Sequence, residues 1–287
     1  MLNVLILGGT RFLGKELVTD LLHRGISVTT CSRRVNTVEA VKSLVIERNE
    51  ISTSTFQEHY DFVIDFTCYD VPSFKIAIEN ISFSNYILIS TSWLYYLENI
   101  NINIIHDITR RYLRGKKDAE IEAEIIKKNT NRNINVLRLP PMLGENDHTK
   151  RLDFYTNRMK ENLPMYTYHV DNGMGLIQFA WVNDISNILC DFILSNGVFN
   201  LNCYNIYDAL PTNKISHHEF LLYLKCMLKS ESEIIISSLD DIIKNQEGYF
   251  FEDPFIKEIE VDINNNNIFK LLGRQSTEIE SWLFPLL

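Results

Sequence analysis

The opening stretch NVLILGGTRFLG constrains the fold more than any other segment of the chain. Asn3–Leu7 is an unbroken apolar run, the signature of a strand buried on both faces, and such strands belong to parallel sheets covered by helices. Glycines end the strand, and Leu17, Val18, Leu21 and Leu22 then recur at helical spacing through Gly14–Arg24, with Gly25 as a C-terminal stop. Ile26–Cys31 returns to a β pattern, completing one β–α–β unit. In this context a glycine turn holds a dinucleotide, because bare backbone approaches the pyrophosphate and the helix N-terminus meets its charge. The reading assigns Gly8, Gly9, Thr10, Arg11, Phe12, Leu13 and Gly14 to cofactor binding. The competing reading is a plain strand-to-helix turn that uses glycine for its dihedrals.

The alternation continues along the chain. Leu44–Ile46, Phe62–Phe66, Tyr86–Ile89 and Asn135–Leu139 read as strands, and Ser73–Glu79 and Tyr112–Lys128 as helices, so the predicted fold class is α/β, a doubly wound parallel sheet of Rossmann type. The pattern loosens after Gly144. Asp184–Leu194 then reads as a helix, Phe199–Ile206 as a strand, His217–Leu228 as a helix and Asn264–Asn267 as a polar turn. The expected organisation is a dinucleotide-binding domain over residues 1–144, to which 181–206 returns. A small C-terminal substrate lobe is expected from 145–180 and 207–287.

Bulk properties remove several function classes. The net charge of −9 opposes nucleic acid or an anionic membrane as partner, since both need clustered Lys and Arg. The five cysteines are scattered with no C-x-x-C pair, as in a reduced protein rather than a disulfide frame or zinc site. The first apolar run stops at Gly8, too short for a signal peptide or a spanning helix, and the expected location is the cytoplasm. No metal-ligand spacing occurs, and His217–His218 reads as the exposed start of a helix. A homodimer is left open.

The end of the second strand bears on cofactor choice. NAD sites place an acid there, roughly 20 residues past the glycines, to hold the ribose 2′-hydroxyl. This chain has Ser32–Arg33–Arg34 instead. Guanidinium groups pair with a 2′-phosphate that a carboxylate would repel. Arg11 leaves the glycine turn toward the same corner. NADP(H) is therefore favoured, with NAD(H) kept as the other option and a solvated surface pair as the bland one.

Several segments together resemble the extended or atypical short-chain dehydrogenase/reductase superfamily, of the NAD(P)-dependent epimerase/dehydratase type. They are NVLILGGTRFLG, ISTSWLYY, RRYLRGKKDAE, VLRLPPMLGENDHTKRLDFY, QFAWVNDISNIL and Leu271–Gly273. The resemblance implies that Tyr112 and Lys116 are the Y-x-x-x-K pair, with Tyr112 as acid/base and Lys116 also binding the nicotinamide ribose. One helical turn separates them, so they share a face. A free tyrosine has a pKa of about 10, and a nearby ammonium favours its phenolate. Thr91, four residues before Tyr95, takes the place of the family's Ser/Thr that holds the reacting oxygen. Ser92 takes that role if the register shifts by one, and both hydroxyls otherwise satisfy backbone at a strand end. Glu47, Thr67 and Pro140 are further cofactor contacts, Thr67 having strand capping as its alternative. The chain departs from the family pattern at Arg11, where a middle glycine is usual, and at Tyr96, which replaces a glycine beside the active-site wall; Trp93 adds bulk there.

The function expected from the resemblance is hydride transfer at a carbinol or ketone carbon of a small molecule, first of all a nucleotide sugar. A one-way NADPH-dependent ketone reductase and a non-catalytic dinucleotide-binding scaffold are the alternatives.

Overall fold

The computed structural model describes residues 2–97, 107–130, 132–170, 173–174, 176–177, 179–195, 206–213, 215–237 and 266–287. Its centre is a seven-stranded sheet. The strands are β1 (Asn3–Leu7), β2 (Ser27–Ser32), β3 (Lys42–Val45), β4 (His59–Asp65), β5 (Ser82–Thr91), β6 (Asn133–Leu139) and the short strand Ile206–Asp208. From one edge to the other the order is Ile206–Asp208, β6, β5, β4, β1, β2, β3. Every pairing is parallel.

The alternation of side chains along β1 explains the two-sided burial. Val4 and Ile6 face one layer with α1 (Phe12–His23) and the later helix α6 (Val182–Leu194), where Leu17, Leu21, Ile185 and Leu189 meet them. Leu5 and Leu7 face the other layer, with α2 (Val71–Asn80) and α4 (Asp107–Thr130), against Phe74, Ile78, Ala119 and Ala123. Among the described residues between β5 and α4 is one helical turn, α3 (Leu94–Leu97). Helices on both faces are what a run of apolar strands requires.

Register brings the strand ends into line. Leu7 pairs with Cys31 and with Asp65, Asp65 with Leu88, and Thr91 with Leu139. Chain order reverses between β1 and β4, so the loops leaving β1 and β4 diverge and leave a crevice at the C-terminal edge of the sheet.

A third apolar cluster joins Leu152, Tyr155 and Met159 of α5 (Arg151–Lys160) to Phe220, Leu221 and Leu224 of the helix His217–Leu228, with Trp282 and Leu283. His217 is a correction to the expectation of a surface residue. It is buried, its Nδ1 lies 3.2 Å from Thr167 Oγ1, and burial pulls its ionisation down to about 3.

Four predicted helices begin earlier than expected, α2 at Val71 rather than Ser73 and α6 at Val182 rather than Asp184 among them. Helix α1 opens at Phe12 rather than Gly14, and α4 opens at Asp107 rather than Tyr112. Of the predicted strand Phe199–Ile206, only its last residue falls among the described residues. The side chain of Tyr96 and Asn264–Asn265 lie outside them.

Candidate functional site

The turn after β1 folds around its glycines. Gly8 has φ +100°, a left-handed conformation, and a Cβ there would sit 2.6 Å from Thr67 Cγ2. A Cβ on Gly14 would sit 2.7 Å from the Gly8 carbonyl oxygen. The turn is closed by Gly8 N–H donating to Cys31 O (2.9 Å) and Thr10 N–H donating to Gly8 O (3.0 Å). Arg11 is the extended N-cap residue of α1, and the first α-helical bond there runs from Lys15 N–H to Arg11 O (3.2 Å). The amides of the helix's first turn, ahead of Lys15, thus have no acceptor within the helix. Gly9 lies on the far side, against Thr30, Val18 and Ile6, and its carbonyl accepts from the buried Asn36 Nδ2 at 2.8 Å. It does not line the cavity described next.

A cavity of 870 Å³ runs along the C-terminal sheet edge, from the end of β2, across the glycine turn, to α4. It collects Gly8, Thr10, Arg11, Phe12, Leu13, Gly14, Ser32, Arg33, Arg34, Glu47, Thr67, Thr91, Tyr112, Lys116 and Pro140 of the predicted set. Gly9 and Ser92 are the two predicted residues that it leaves out. Its charge is opposite to that of the chain. Arg11, Arg33, Arg34, Arg48, Lys116 and Arg151 line it, against the single carboxylate of Glu47. Among the described residues no carboxylate pairs with Arg11, Arg33 or Arg34. Ser32 Oγ is engaged within its own turn, donating to Arg34 O at 2.6 Å.

The floor between β3 and β4 is held by a group the sequence reading missed. Arg48 donates from Nη1 to Asp65 Oδ1 (2.8 Å) and from Nη2 to Oδ2 (2.5 Å), and also to Thr67 Oγ1 (2.9 Å) and the Ser73 carbonyl. Asp65 is fully buried and accepts further bonds from the Tyr86 hydroxyl and the Thr67 amide. Burial alone would raise its pKa, but the Arg48 charge and these hydrogen bonds outweigh that and hold the carboxyl below the usual range. The neighbouring Glu47–Arg48 pair and the polar end of FVIDFTCYD were the available signals.

At the other end, Thr91 and Tyr112 meet. Thr91 Oγ1 accepts the Trp93 amide at 3.3 Å and lies close enough to the Tyr112 phenol to act on its pKa. Ser92 instead uses its amide on Leu139 O (2.9 Å). Lys116 is buried on the same face of α4 and donates from Nζ to Ile89 O at 2.7 Å. The expectation that Lys116 lowers the Tyr112 pKa is not the resting state of this cavity. Burial pushes the phenol up to about 12 and the nearby Tyr69 adds to this, whereas Thr91 and the charge of Arg151 act the other way. Burial likewise pulls the Lys116 ammonium below its ordinary range.

Two hydroxyls on the cavity wall, Ser90 Oγ and Thr109 Oγ1, are buried and have no hydrogen-bond partner among the described residues. Buried polar groups are nearly always satisfied, so such hydroxyls mark where a polar ligand atom belongs. His148, Thr149 and Arg151, which precede or open α5, complete the wall beside Met142. Nothing in the 145–180 stretch except its loop composition pointed to them individually. The glycine cradle, the cations and the two orphaned hydroxyls all suit an anionic, hydroxyl-rich dinucleotide.

No helix among the described residues is long and apolar enough to cross a membrane. No protein-family model and no curated protein matches the sequence. The fold has counterparts among solved structures. UDP-galactose 4-epimerase superimposes with a TM-score of 0.69 at 12% identity, over 99% of this chain and 98% of that one. UDP-glucose 4-epimerase of Thermotoga maritima, solved with UDP-glucose, gives 0.69 at 14% identity over 99% and 96%. dTDP-glucose 4,6-dehydratase of Bacillus anthracis, solved with NAD, gives 0.68 at 13% identity over 99% and 95%. The Rossmann-type fold is thus shared, and these neighbours are of the epimerase and dehydratase type that the sequence motifs resemble.

Proposed function

We propose that this chain is an NADP(H)-preferring enzyme of the epimerase/dehydratase type, transferring hydride at a carbinol or ketone carbon of a nucleotide sugar. The observation that carries the reading is one continuous cavity with the glycine turn and unpaired arginines at one end and Thr91, Tyr112 and Lys116 at the other. The domain division expected from the sequence is part of the same reading: residues 145–180 and 207–287 form the substrate side, and the rest binds the cofactor.

Gly8 and Gly14 leave room for a pyrophosphate against the first amides of α1. Arg33 and Arg34, with Arg11, hold the 2′-phosphate, which favours NADP(H) over NAD(H). A nicotinamide held at this end would take up the hydride lost by a carbinol carbon or return it to a ketone carbon. Thr91 Oγ1 holds the reacting substrate oxygen next to the Tyr112 hydroxyl, which gives or takes its proton. With its phenol at about 12 in the free protein, Tyr112 is protonated at neutral pH. It therefore starts as a proton donor to a ketone oxygen, and working as a base requires added positive charge on the bound complex.

Trp93 supports a second reading. Epimerisation needs the oxidised carbon to present both faces in turn to the same hydride, so the substrate must rotate. Trp93 lines the wall beside Thr91 and restricts that room, which favours a one-way ketone reductase.

The test is binding and turnover of the parent and Tyr112→Phe. NADPH affinity should be kept in the variant, while turnover on sugar nucleotides or small ketones falls by about a hundredfold or more. A parent protein that binds neither NADPH nor NADH would refute the enzyme reading. Equal turnover in the variant would remove Tyr112 from the acid–base role, and a parent that binds the nucleotide but turns over none of these substrates would point to a scaffold.

A further inference from the structure

Tyr69 belongs to neither the glycine turn nor the Y-x-x-x-K pair, yet its placement is tightly determined. Its loop leaves β4 under the Arg48–Asp65 pair, which fixes Thr67 through its amide and its hydroxyl. One residue further on, Asp70 caps α2 by accepting the Ser73 amide at 2.8 Å. On the α4 side the Tyr69 carbonyl presses against Gly115, where a Cβ would stand only 2.2 Å from the carbonyl oxygen. Any side chain at position 115 would push this loop away from α4. With its backbone held from three directions, the Tyr69 ring lies 6.2 Å from the Tyr112 ring, tilted by 52°.

Lys116 stands to one side of this ring pair, within reach of both. Its Nζ is 5.1 Å from the Tyr69 ring centroid and 5.8 Å from that of Tyr112. Both distances are within the range over which a ring face attracts a cation, and the attraction is strongest where water is excluded. We propose that Tyr69 is a positioning residue whose ring, together with that of Tyr112, presents the aromatic surface that keeps Lys116 as an ammonium at the cavity floor. This rests on the reading of Tyr112 and Lys116 as the acid–base pair. It deepens that reading by naming what holds the lysine charged, because the Ile89 carbonyl supplies only one hydrogen bond.

The other groups facing Lys116 do not make Tyr69 redundant. Cys68 and Asp65 approach from β4 and its loop, and Glu120 lies one turn along α4. Asp65 is already paired with Arg48, which repels the ammonium, and Glu120 is bound by Arg138 through two hydrogen bonds of 3.0 and 2.6 Å. Burial acts against the ammonium throughout. The two ring faces are a source of stabilisation that, among the described residues, is committed to no other cation.

The experiment titrates Lys116 in cofactor-free protein carrying lysine labelled with ¹³C at Cε, its resonance assigned by its loss in Lys116→Met. Position 69 is changed to Phe and then to phenylalanines bearing increasing numbers of fluorines, which drain the ring face of negative charge at nearly constant shape. Tyr69 is 54% exposed, so these rings have space and the fold is kept. Tyr69→Phe should leave the Lys116 pKa within a few tenths of the parent. The most fluorinated ring should lower it by about one unit, tenfold in acidity, with intermediate rings between. Tyr69→Leu, which removes the ring, should match that lower limit. A Lys116 pKa that does not move along the fluorine series, or that falls as far in Tyr69→Phe as in Tyr69→Leu, would overturn the proposal. NADPH affinity of the parent, measured separately, reports on the cofactor reading, so the two fail independently.

Discussion

Replacing Arg48 by Met should cost more stability than any other single change at this cavity that keeps the side-chain volume. Asp65 is fully buried and Arg48 supplies two of its hydrogen bonds along with its only ion-pair partner among the described residues. In the variant the carboxylate keeps the Tyr86 hydroxyl and the Thr67 amide but loses the compensating charge. Breaking a buried pair in this way costs about 3–5 kcal/mol, mostly because a charge is left without a partner. Arg48 also releases Thr67 and Ser73, so the upper part of that range is expected. Urea unfolding followed by circular dichroism measures the loss, and Arg48→Met/Asp65→Asn should recover a large part of it. The pH dependence has a definite sign. In the parent the folded-state pKa of Asp65 lies below the unfolded value of about 3.9, so its stabilisation is present above that pH and is lost as pH falls through the folded pKa. In the variant, burial without Arg48 raises the folded pKa above the unfolded one. Relative stability should then rise as pH is lowered from 7 toward 5. A loss below about 1 kcal/mol, with a pH slope parallel to the parent, would show that the pair is not held as the structure has it.

The other expectations concern the ligand end. Arg33→Ala with Arg11→Ala should weaken NADPH binding by about tenfold to a hundredfold and leave NADH nearly unchanged, the difference shrinking in high salt because these side chains are exposed; equal parent affinities for the two would remove the case for the arginines. Thr91→Ala should lower turnover by about tenfold to a hundredfold with cofactor affinity kept. A comparable loss from Ser92→Ala alone would assign the hydroxyl role to the residue that lies off the cavity. Gly14→Ala places a methyl against the Gly8 carbonyl, and titration calorimetry should show NADPH affinity reduced by at least about tenfold. Unchanged affinity would mean that the turn does not carry the phosphates.

Much was legible because it depends on local periodicity. The β1–glycine–α1 unit, the strands at FVIDF and YILI, and α6 and His217–Leu228 each announced themselves by spacing over one or two turns or a few alternating residues. Tyr112 and Lys116 share a face of α4 for the same reason. The early start of α4 at Asp107 was not legible, because the polar ITRR run shows no apolar period. His217 read as exposed because it starts a helix, whereas its burial comes in large part from Tyr155 and Thr167, which lie elsewhere in the chain.

Sequence alone thus determined the parallel sheet, the glycine cradle and the identity of the side chains presented at the sheet edge, since these follow from hydrophobic period and backbone sterics within short segments. Only the tertiary structure decided that Arg48 neutralises Asp65, that Asn36 pins the glycine turn, that Thr91 rather than Ser92 faces Tyr112, and that Tyr69 covers Lys116. Those outcomes depend on the register of β5 against β6 and on the approach of the β4 loop to Gly115. Contacts between segments distant in the chain are set by packing, and no local pattern encodes them.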